Sequence, residues 1–173
     1  VIAVSCSHRD RSNSEAMLLA CLKELEKNGY EVTYLPVDKT GLIKISDLEK
    51  NIKNNTILIS VIYANNEIGT IQPIKEIGKL LEKINKKRKE NGLLKIYFHT
   101  DAGQAPNYLE CRPDWLKVDL LTFSGHKIYG PKGIGCLYVR KGVPISSIIT
   151  GGGQEFGLRS GTENVPNIVV LAK

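Results

Sequence analysis

Short apolar runs alternate with longer amphipathic stretches along this chain. The runs are rich in Val, Ile, Leu and Tyr, which is typical of buried strands. The longer stretches carry apolar residues at helical spacing, and Asn-Gly pairs end two of them. We predict strands over Val1–Ser5, Glu31–Val37, Thr56–Ile62, Lys95–His99, Leu120–Ser124 and Gly135–Val139, and helices over Glu15–Asn28, Ser46–Lys53 and Ile74–Asn91.

This alternation predicts the α/β fold class, with a mostly parallel sheet flanked by helices. No internal repeat or low-complexity linker divides the 173 residues, so we expect one domain or part of one. The second predicted helix also begins with an expected capping box, because Ser46 is followed three residues later by Glu49.

The composition narrows the possible classes of function. No apolar run approaches the roughly 18 residues that a membrane span needs, so we expect no membrane protein. The four cysteines lie far apart, which argues against a zinc ribbon or a disulfide scaffold and favours a reducing, intracellular setting. The three histidines lack metal-ligand spacing, so we expect no metal site. The cysteines are Cys6, Cys21, Cys111 and Cys136.

The formal net charge of +6 is concentrated in the predicted helix over Ile74–Asn91 and the residues after it. Basic side chains there face away from the apolar positions, so we expect a basic outer face. Such a face could bind nucleic acid or an acidic partner, but a solvated face in a Lys-rich protein is the simpler interpretation. No aromatic residues alternate with these lysines, which makes nucleic-acid binding the less favoured alternative.

Polar residues and glycines cluster directly after three of the predicted strands. The clusters are Ala64–Gly69, His99–Gln104 and Ser124–Lys127. In open α/β sheets, ligands bind in the crevice outside the carboxyl ends of the strands. If the sheet is parallel, the three clusters meet at one edge, and we predict a ligand site there.

Lys127 is the residue of the third cluster that is best suited to covalent chemistry. It follows an apolar strand that we expect to bury it, and a buried lysine tends toward a lowered pKa that suits a nucleophile or a Schiff base. Asp101, at the end of a neighbouring strand, could keep the ring nitrogen of pyridoxal phosphate protonated. Ser124 and His126 could donate hydrogen bonds to a phosphate. The spacing alone does not exclude an alternative interpretation, in which Lys127 is an exposed lysine in a turn and Asp101 caps a helix.

Four motifs in a fixed order carry a resemblance to a known family. They resemble the cysteine desulfurase and selenocysteine lyase group of class V aminotransferase-fold enzymes, from about Tyr30 to the end of the chain. The resemblance implies the large-domain core of a type I pyridoxal phosphate (PLP)-dependent transferase. The motifs are Ala64–Gly69 (ANNEIG), His99–Gln104 (HTDAGQ), Ser124–Gly135 (SGHKIYGPKGIG) and Gly151–Asn164 (GGGQEFGLRSGTEN).

The resemblance implies roles around the cofactor ring for four residues. Lys127 matches the lysine that binds pyridoxal phosphate covalently and later moves the proton of the substrate's α-carbon. Asp101 matches the carboxylate that pairs with the pyridine nitrogen. Gln104 matches the amide that reaches the phenolic oxygen of the ring, and Asn66 matches an asparagine of the same cofactor site.

Four further residues are implied around the cofactor's phosphate and the site entrance. Ser124 and His126 match phosphate ligands. Thr162 matches a threonine that family dimers contribute to the phosphate of the neighbouring subunit's site, so the resemblance implies a homodimer. Arg159 lies in the same loop, and we expect it to shape the entrance to the site.

The implied reaction takes sulfur from L-cysteine as a persulfide and leaves alanine. We expect the sulfur to pass to an acceptor protein for iron–sulfur cluster or thio-cofactor synthesis, in the cytoplasm or in an organelle matrix. A selenocysteine lyase of the same group remains an alternative, as does a non-catalytic, truncated homologue that serves as an interaction scaffold.

Several family features have no match in this chain. The stretch Ser7–Ser14 matches nothing, and His8 within it is the one candidate to replace the family's ring-stacking histidine. None of the four cysteines falls in a loop that matches the family's sulfur-accepting loop. We therefore expect residues 1–173 to form part of the large domain, without the amino-terminal phosphate loop and the carboxyl-terminal small domain.

Overall fold

The computed structural model describes residues 1–4 and 13–173, with side chains for Val1 and from Ala20 onward. Two short 3₁₀ turns lie at Gly125–Lys127 and Glu155–Gly157. The strands are β1 (Ile2–Val4), β2 (Thr33–Tyr34), β3 (Leu58–Ile62), β4 (Tyr97–Asp101), β5 (Leu120–Ser124) and β6 (Gly135–Val139). The helices are α1 (Asn13–Lys27), α2 (Ile45–Asn51), α3 (Ile74–Glu90), α4 (Pro113–Leu116) and α5 (Val165–Leu171).

The strands form one sheet in the order β2-β1-β3-β4-β5-β6. All neighbouring strands are parallel except β5 and β6, which pair antiparallel. The prediction of a mostly parallel sheet flanked by helices is therefore confirmed. One row of the ladder near the carboxyl edge pairs Ile62, Asp101 and Thr122 across three strands, and this row lies at the base of the predicted ligand site.

The observed strands differ from the predicted ones mainly at their ends. The strand β4 runs two residues further than predicted, to Asp101, because backbone pairing continues beyond the apolar run. The carbonyl of Asp101 accepts the N–H of Tyr63 at 2.8 Å, and the N–H of Ala102 donates to the carbonyl of Thr122 at 2.8 Å. The ladder therefore brings the polar residue that ends β4 into line with its neighbours.

The predicted helices are present, but the predicted capping box is wrong. The helix α2 begins at Ile45 with Lys44 at the N-cap position, and no side chain caps it. Ile45 packs against the hydrophobic core, so burial of an apolar side chain moves the helix start to before Ser46. The short helices α4 and α5 were not predicted, since each is too short to show an apolar period.

The main core lies between one face of the sheet and the helices α2, α3 and α4. Gly78 of α3 permits the closest approach in this layer, because a Cβ there would lie 2.6 Å from the Cβ of Lys117 and closer still to the carbonyl oxygen of Leu116. The helix α3 therefore rests directly on the end of α4. The fully buried core side chains are Leu48, Ile59, Val61, Ile74, Ile77, Ile96, Phe98, Leu116 and Val118.

The predicted basic outer face of α3 needs one correction, since Arg88 is buried. Its guanidinium donates to the carbonyls of Leu94 at 2.7 Å, Lys53 at 3.0 Å, Asn54 at 2.8 Å and Thr56 at 3.1 Å. Arg88 therefore ties the end of α3 to the loop before β3. No helix within the described ranges is long and apolar enough to cross a membrane.

Candidate functional site

The three predicted polar clusters meet at the carboxyl edge of the sheet. They follow β3, β4 and β5, which are adjacent and parallel, so the chain leaves all three strands on the same side. The predicted convergence is confirmed. This edge is where open α/β sheets bind ligands.

The loop after β3 presents Asn66 at its tip. The side chain of the preceding residue, Asn65, is buried and accepts the N–H groups of Glu67 at 2.8 Å and Ile68 at 2.9 Å. This local turn shapes the loop, as asparagine side chains commonly do. Asn66 is exposed on the resulting turn, where its amide side chain faces solvent.

The loop after β4 presents Asp101 and Gln104. Asp101 is exposed, and its Oδ1 accepts the N–H of Gly103 at 2.9 Å. This contact forms a turn at the strand end, so Asp101 does not cap a helix as the alternative interpretation required. Ala102 and Ala105 are fully buried, and the hydrogen bond between their backbone groups, 2.9 Å long, holds Gln104 in a tight turn between them.

The loop after β5 carries Ser124, His126 and Lys127 through a 3₁₀ turn. Gly125 and Gly130 approach each other so closely that a Cβ on Gly130 would lie 2.9 Å from the carbonyl oxygen of Gly125. That carbonyl also accepts the N–H of Gly130 at 2.9 Å. The two glycines therefore close a compact loop that holds the two basic side chains at the edge of the sheet.

The predicted burial of Lys127 is wrong, because Lys127 and His126 are both exposed. The strand β5 ends at Ser124, and the 3₁₀ turn then carries the chain away from the sheet. Lys127 therefore lies outside the layer of side chains that β5 buries. Its position at the carboxyl edge, beside the strand that carries Asp101, is as the motif predicted.

Arg159 and Thr162 lie in a separate loop between β6 and α5, and both are exposed. The guanidinium of Arg159 donates to the carbonyl of the next residue, Ser160, at 3.2 Å. Within the described part of the chain, no hydrogen bond joins either side chain to the residues at the carboxyl edge. Their roles in a cofactor site stay predictions.

Sequence reasoning missed a polar network around His99, which lies two positions before Asp101 on β4. His99 of β4 contacts Ser60 of β3, with 2.8 Å between Nδ1 and Oγ, and Thr122 of β5, with 3.1 Å between Nε2 and Oγ1. Burial lowers the pKa of His99, and the nearby Asp101 partly opposes this effect. The available signal was polar residues at the middle of apolar strands, on one face.

The described cysteines form no metal-binding cluster, and the pKa is raised in two of the three. Cys21, Cys111 and Cys136 are free thiols, and no cluster of metal-binding side chains occurs among the described residues. Burial raises the pKa of Cys111 to about 11 and also raises that of Cys136, which leaves both thiols protonated at neutral pH. Cys6 and His8 lie outside the described residues.

The groups at the carboxyl edge fit a cofactor with an aromatic ring and a phosphate. Asp101 offers a carboxylate to a cationic ring nitrogen, and Lys127 offers a primary amine. The hydroxyl of Ser124 and the imidazole of His126 are suitable phosphate donors. Fold and site together therefore define an open α/β protein whose polar groups gather at the carboxyl ends of adjacent parallel strands, where proteins of this class bind ligands.

Comparisons with known proteins identify the family. The model of the Aminotransferase class-V family matches residues 11–173, so the chain belongs to the class-V aminotransferase family. Cysteine desulfurase IscS from Clostridium botulinum is 51% identical over 149 residues, which are 86% of this chain and 35% of that protein. The chain spans about a third of the length of the curated relatives it matches.

Solved structures agree with this assignment. A NifS-like protein superposes with a TM-score of 0.84 at 42% identity, over 99% of this chain and 43% of that one. A structure of SspA in complex with cysteine superposes with a TM-score of 0.80 at 42% identity, over 98% of this chain and 45% of that one. The resemblance that the four motifs carry is therefore confirmed.

Proposed function

We propose that the protein is a PLP-dependent cysteine desulfurase that releases sulfur from L-cysteine. The observation that carries the proposal is the position of Lys127 and Asp101 at the carboxyl ends of the adjacent strands β5 and β4. Relatives about 50% identical are named cysteine desulfurases, and a structural neighbour is described in complex with cysteine. Both facts support the proposed substrate.

Each residue of the edge has a distinct task in this proposal. Asp101 places a negative charge at the ring nitrogen, and Gln104 donates from its amide to the phenolic oxygen of the ring. Ser124 and His126 bind the phosphate. Asn66 completes the wall of the site from the loop after β3.

Lys127 holds the cofactor and then moves the proton of the substrate's α-carbon. An exposed amine on a compact loop can approach a ring that lies over the carboxyl edge. Pyridoxal phosphate, when bound, supplies the electron-accepting ring that makes this α-proton acidic. The chain's share of the reaction is therefore orientation, charge and one proton-transfer group.

Replacing the lysine tests the proposal directly. In the full-length protein, Lys127→Ala is expected to abolish the visible absorbance of covalently bound pyridoxal phosphate and to lower alanine formation from L-cysteine by at least about 10²–10⁴-fold. Lys132→Ala is the matched control, because Lys132 is an exposed lysine of the same loop and is expected to change neither quantity. Retained absorbance in Lys127→Ala would contradict the assignment of Lys127 as the residue that binds pyridoxal phosphate covalently.

The same preparation separates the remaining alternatives. A selenocysteine lyase is expected to use L-selenocysteine and to produce little alanine from L-cysteine, so parallel assays with both substrates decide between the two. A non-catalytic scaffold is expected to show no cofactor absorbance in the unmodified protein. The presence of Asp101, Gln104 and Lys127 at one edge favours the enzyme over the scaffold.

We also propose that the protein acts as a homodimer in which Thr162 reaches the partner's site. Large apolar side chains near this loop are exposed, with Phe156 fully exposed and Val165 more than half exposed. Exposed apolar surface of this kind commonly marks a contact with another protein surface. The sulfur acceptor and the cell compartment stay predictions.

Mixing Lys127→Ala with Thr162→Ala, after each variant has been found to have little activity alone, tests the sharing of sites between subunits. Dimers that combine one Lys127→Ala chain with one Thr162→Ala chain have one doubly altered site and one unaltered site. Random mixing is therefore expected to restore about a quarter of the unmodified activity. No recovery on mixing would mean that Thr162 acts within its own chain or not at all.

A further inference from the structure

A half-buried histidine, His99, joins three strands immediately below the proposed cofactor site. It pairs with Ser60 of β3 in the ladder, and the two side chains are 2.8 Å apart. On its other side, Nε2 lies 3.1 Å from Oγ1 of Thr122 on β5. Both ring nitrogens therefore have a hydroxyl partner, and each hydroxyl can donate or accept as the histidine tautomer requires.

The network is connected to Asp101 through Thr122. In the ladder, Thr122 is the direct partner of Asp101, and its carbonyl accepts the N–H of the next residue, Ala102, at 2.8 Å. His99 and Asp101 are two positions apart on β4, so their side chains project from the same face of the sheet. The ring of His99 therefore fixes the strand segment that borders Asp101.

We propose that His99 is a positioning residue for the cofactor ring: it holds β4 against β3 and β5 just below Asp101 and so fixes the carboxylate toward the ring nitrogen. This inference rests on the proposed function, because it needs a ring at the carboxyl edge. The carboxylate of Asp101 has one hydrogen-bond partner among the described residues, the N–H of Gly103, so the direction of the carboxylate depends on the strand that carries it.

The charge state of His99 is consistent with this role. Burial lowers the pKa of His99, and Asp101 is the charged group that opposes the shift, while β3 and β5 present the hydroxyls of Ser60 and Thr122. The imidazole is therefore neutral at pH 7. A neutral ring does not form an ion pair with Asp101, so the carboxylate keeps its negative charge for the cofactor.

The test uses the full-length protein and three variants: His99→Ala, His99→Gln and Thr100→Val. Two quantities are measured, the dissociation constant of pyridoxal phosphate from the apo protein and the pH midpoint of the bound cofactor's visible absorbance. We expect His99→Ala to weaken cofactor binding by about 3- to 10-fold, which corresponds to the net loss of one hydrogen bond between Asp101 and the cofactor ring. We expect its pH midpoint to shift by about half a unit or more, since Asp101 no longer holds the ring nitrogen well.

The other two variants separate positioning from general stability. The amide of His99→Gln can donate and accept, so it is expected to restore most of the affinity and the pH midpoint. Thr100→Val removes a different hydrogen bond between β4 and β3, in which Oγ1 of Thr100 donates to the carbonyl of Val61 at 2.9 Å. This bond lies on the opposite face of the sheet, which is buried. It is expected to lower the thermal midpoint without changing either cofactor quantity.

Two results would overturn the positioning role alone. One is cofactor binding and a pH midpoint in His99→Ala that equal those of the unmodified protein, and the other is the same spectral shift in Thr100→Val. If His99→Ala does not fold, Thr122→Val removes the Nε2 partner with little change of shape, and the same criteria apply. Failure of the unmodified protein to bind pyridoxal phosphate through Lys127 would instead overturn the proposed function itself.

Discussion

Two aspartates lie at opposite ends of neighbouring strands and illustrate two uses of a carboxylate. Asp119 directly precedes β5 at the amino edge of the sheet, and its side chain is only 9% exposed. It accepts from Nζ of Lys95 at 2.6 Å and from the N–H of Phe98 at 3.0 Å, and Nε of Arg140 lies 3.7 Å away. Both oxygens of this carboxylate therefore bind groups of the protein itself.

Asp101 ends β4 at the carboxyl edge and has the opposite surroundings. It is exposed, and its carboxylate accepts one backbone N–H, that of Gly103. The amino edge is lined by ion pairs around a groove of about 370 Å³, whereas the carboxyl edge presents its polar groups to solvent. A carboxylate that is hydrogen-bonded within the protein, such as that of Asp119, stabilises the fold. A carboxylate with unused acceptor positions, such as that of Asp101, can bind a ligand.

The largest expected effect separates the two aspartates by activity. Asp101→Asn is expected to lower the proposed desulfurase activity of the full-length protein by about 10²–10³-fold, because a neutral amide would not stabilise positive charge on the ring nitrogen. The free energy of unfolding is expected to change by less than about 0.5 kcal/mol, since the side chain is exposed. Alanine formation and denaturant unfolding of the same preparation measure both. A large loss of stability would remove the contrast between the two residues.

Asp119→Ala is expected to show the reverse behaviour. It removes the acceptor of Lys95 Nζ and of the Phe98 N–H, and also a negative charge close to Arg140, so we expect a loss of about 2–3 kcal/mol in the free energy of unfolding. The activity of the folded fraction is expected to be unchanged. The matched control is Asp114→Ala, whose side chain is 86% exposed in its pair with Arg140 and should contribute less than about 1 kcal/mol. Equal losses in both variants would contradict this account.

Arg88 provides a second test of a charged side chain that, like Asp119, binds groups of the protein itself and has a structural role. Arg88→Met keeps much of the buried volume but removes the donors to four carbonyls, and we expect a loss of about 2 kcal/mol in the free energy of unfolding. Lys87→Met is the neighbouring control, because Lys87 is exposed and should have almost no effect. Urea unfolding of both variants measures the difference, and a silent Arg88→Met would mean that water replaces the guanidinium.

The sequence predicted the sheet well because apolar periodicity and burial coincide there. Strands β5 and β6 have the predicted bounds, and the polar clusters after β3, β4 and β5 meet as parallel topology requires. Roles such as that of Arg88 were not predictable, because three of its four carbonyl acceptors come from the distant loop before β3. The solvation of a single charged side chain depends on tertiary contacts that periodicity does not contain.

The site itself was predicted unevenly for a similar reason. Motif order placed Asp101 and Lys127 at one edge, but the exposure of Lys127 depends on a 3₁₀ turn that leaves the sheet after Ser124. The role of His99 depends on partners from two other strands, Ser60 and Thr122, which become neighbours only when the register is known. Local sequence indicates which groups are present, and register decides what they contact.

The smallest expected effect concerns Cys111. It lies close in sequence to Asp101 and Gln104, but we expect it to have a structural role and not to take part in the reaction. The pKa of its thiol is raised from 9.0 to about 11, first by burial and then by Glu110. Two units of pKa lower the thiolate fraction at pH 7.5 by about 100-fold, while the higher intrinsic nucleophilicity recovers about 10-fold. Alkylation by iodoacetamide is therefore expected to be at least about 10-fold slower than for an exposed thiol of ordinary pKa.

A cysteine that takes sulfur from the substrate must react as a thiolate, so Cys111 is not expected to have that role. Cys111→Ser is accordingly expected to leave alanine formation unchanged, with Cys21→Ser as the exposed control. Peptide mass spectrometry after timed alkylation gives the rate at each thiol. Rapid labelling of Cys111, or lost activity in Cys111→Ser without unfolding, would contradict this prediction and assign the thiol to the functional site.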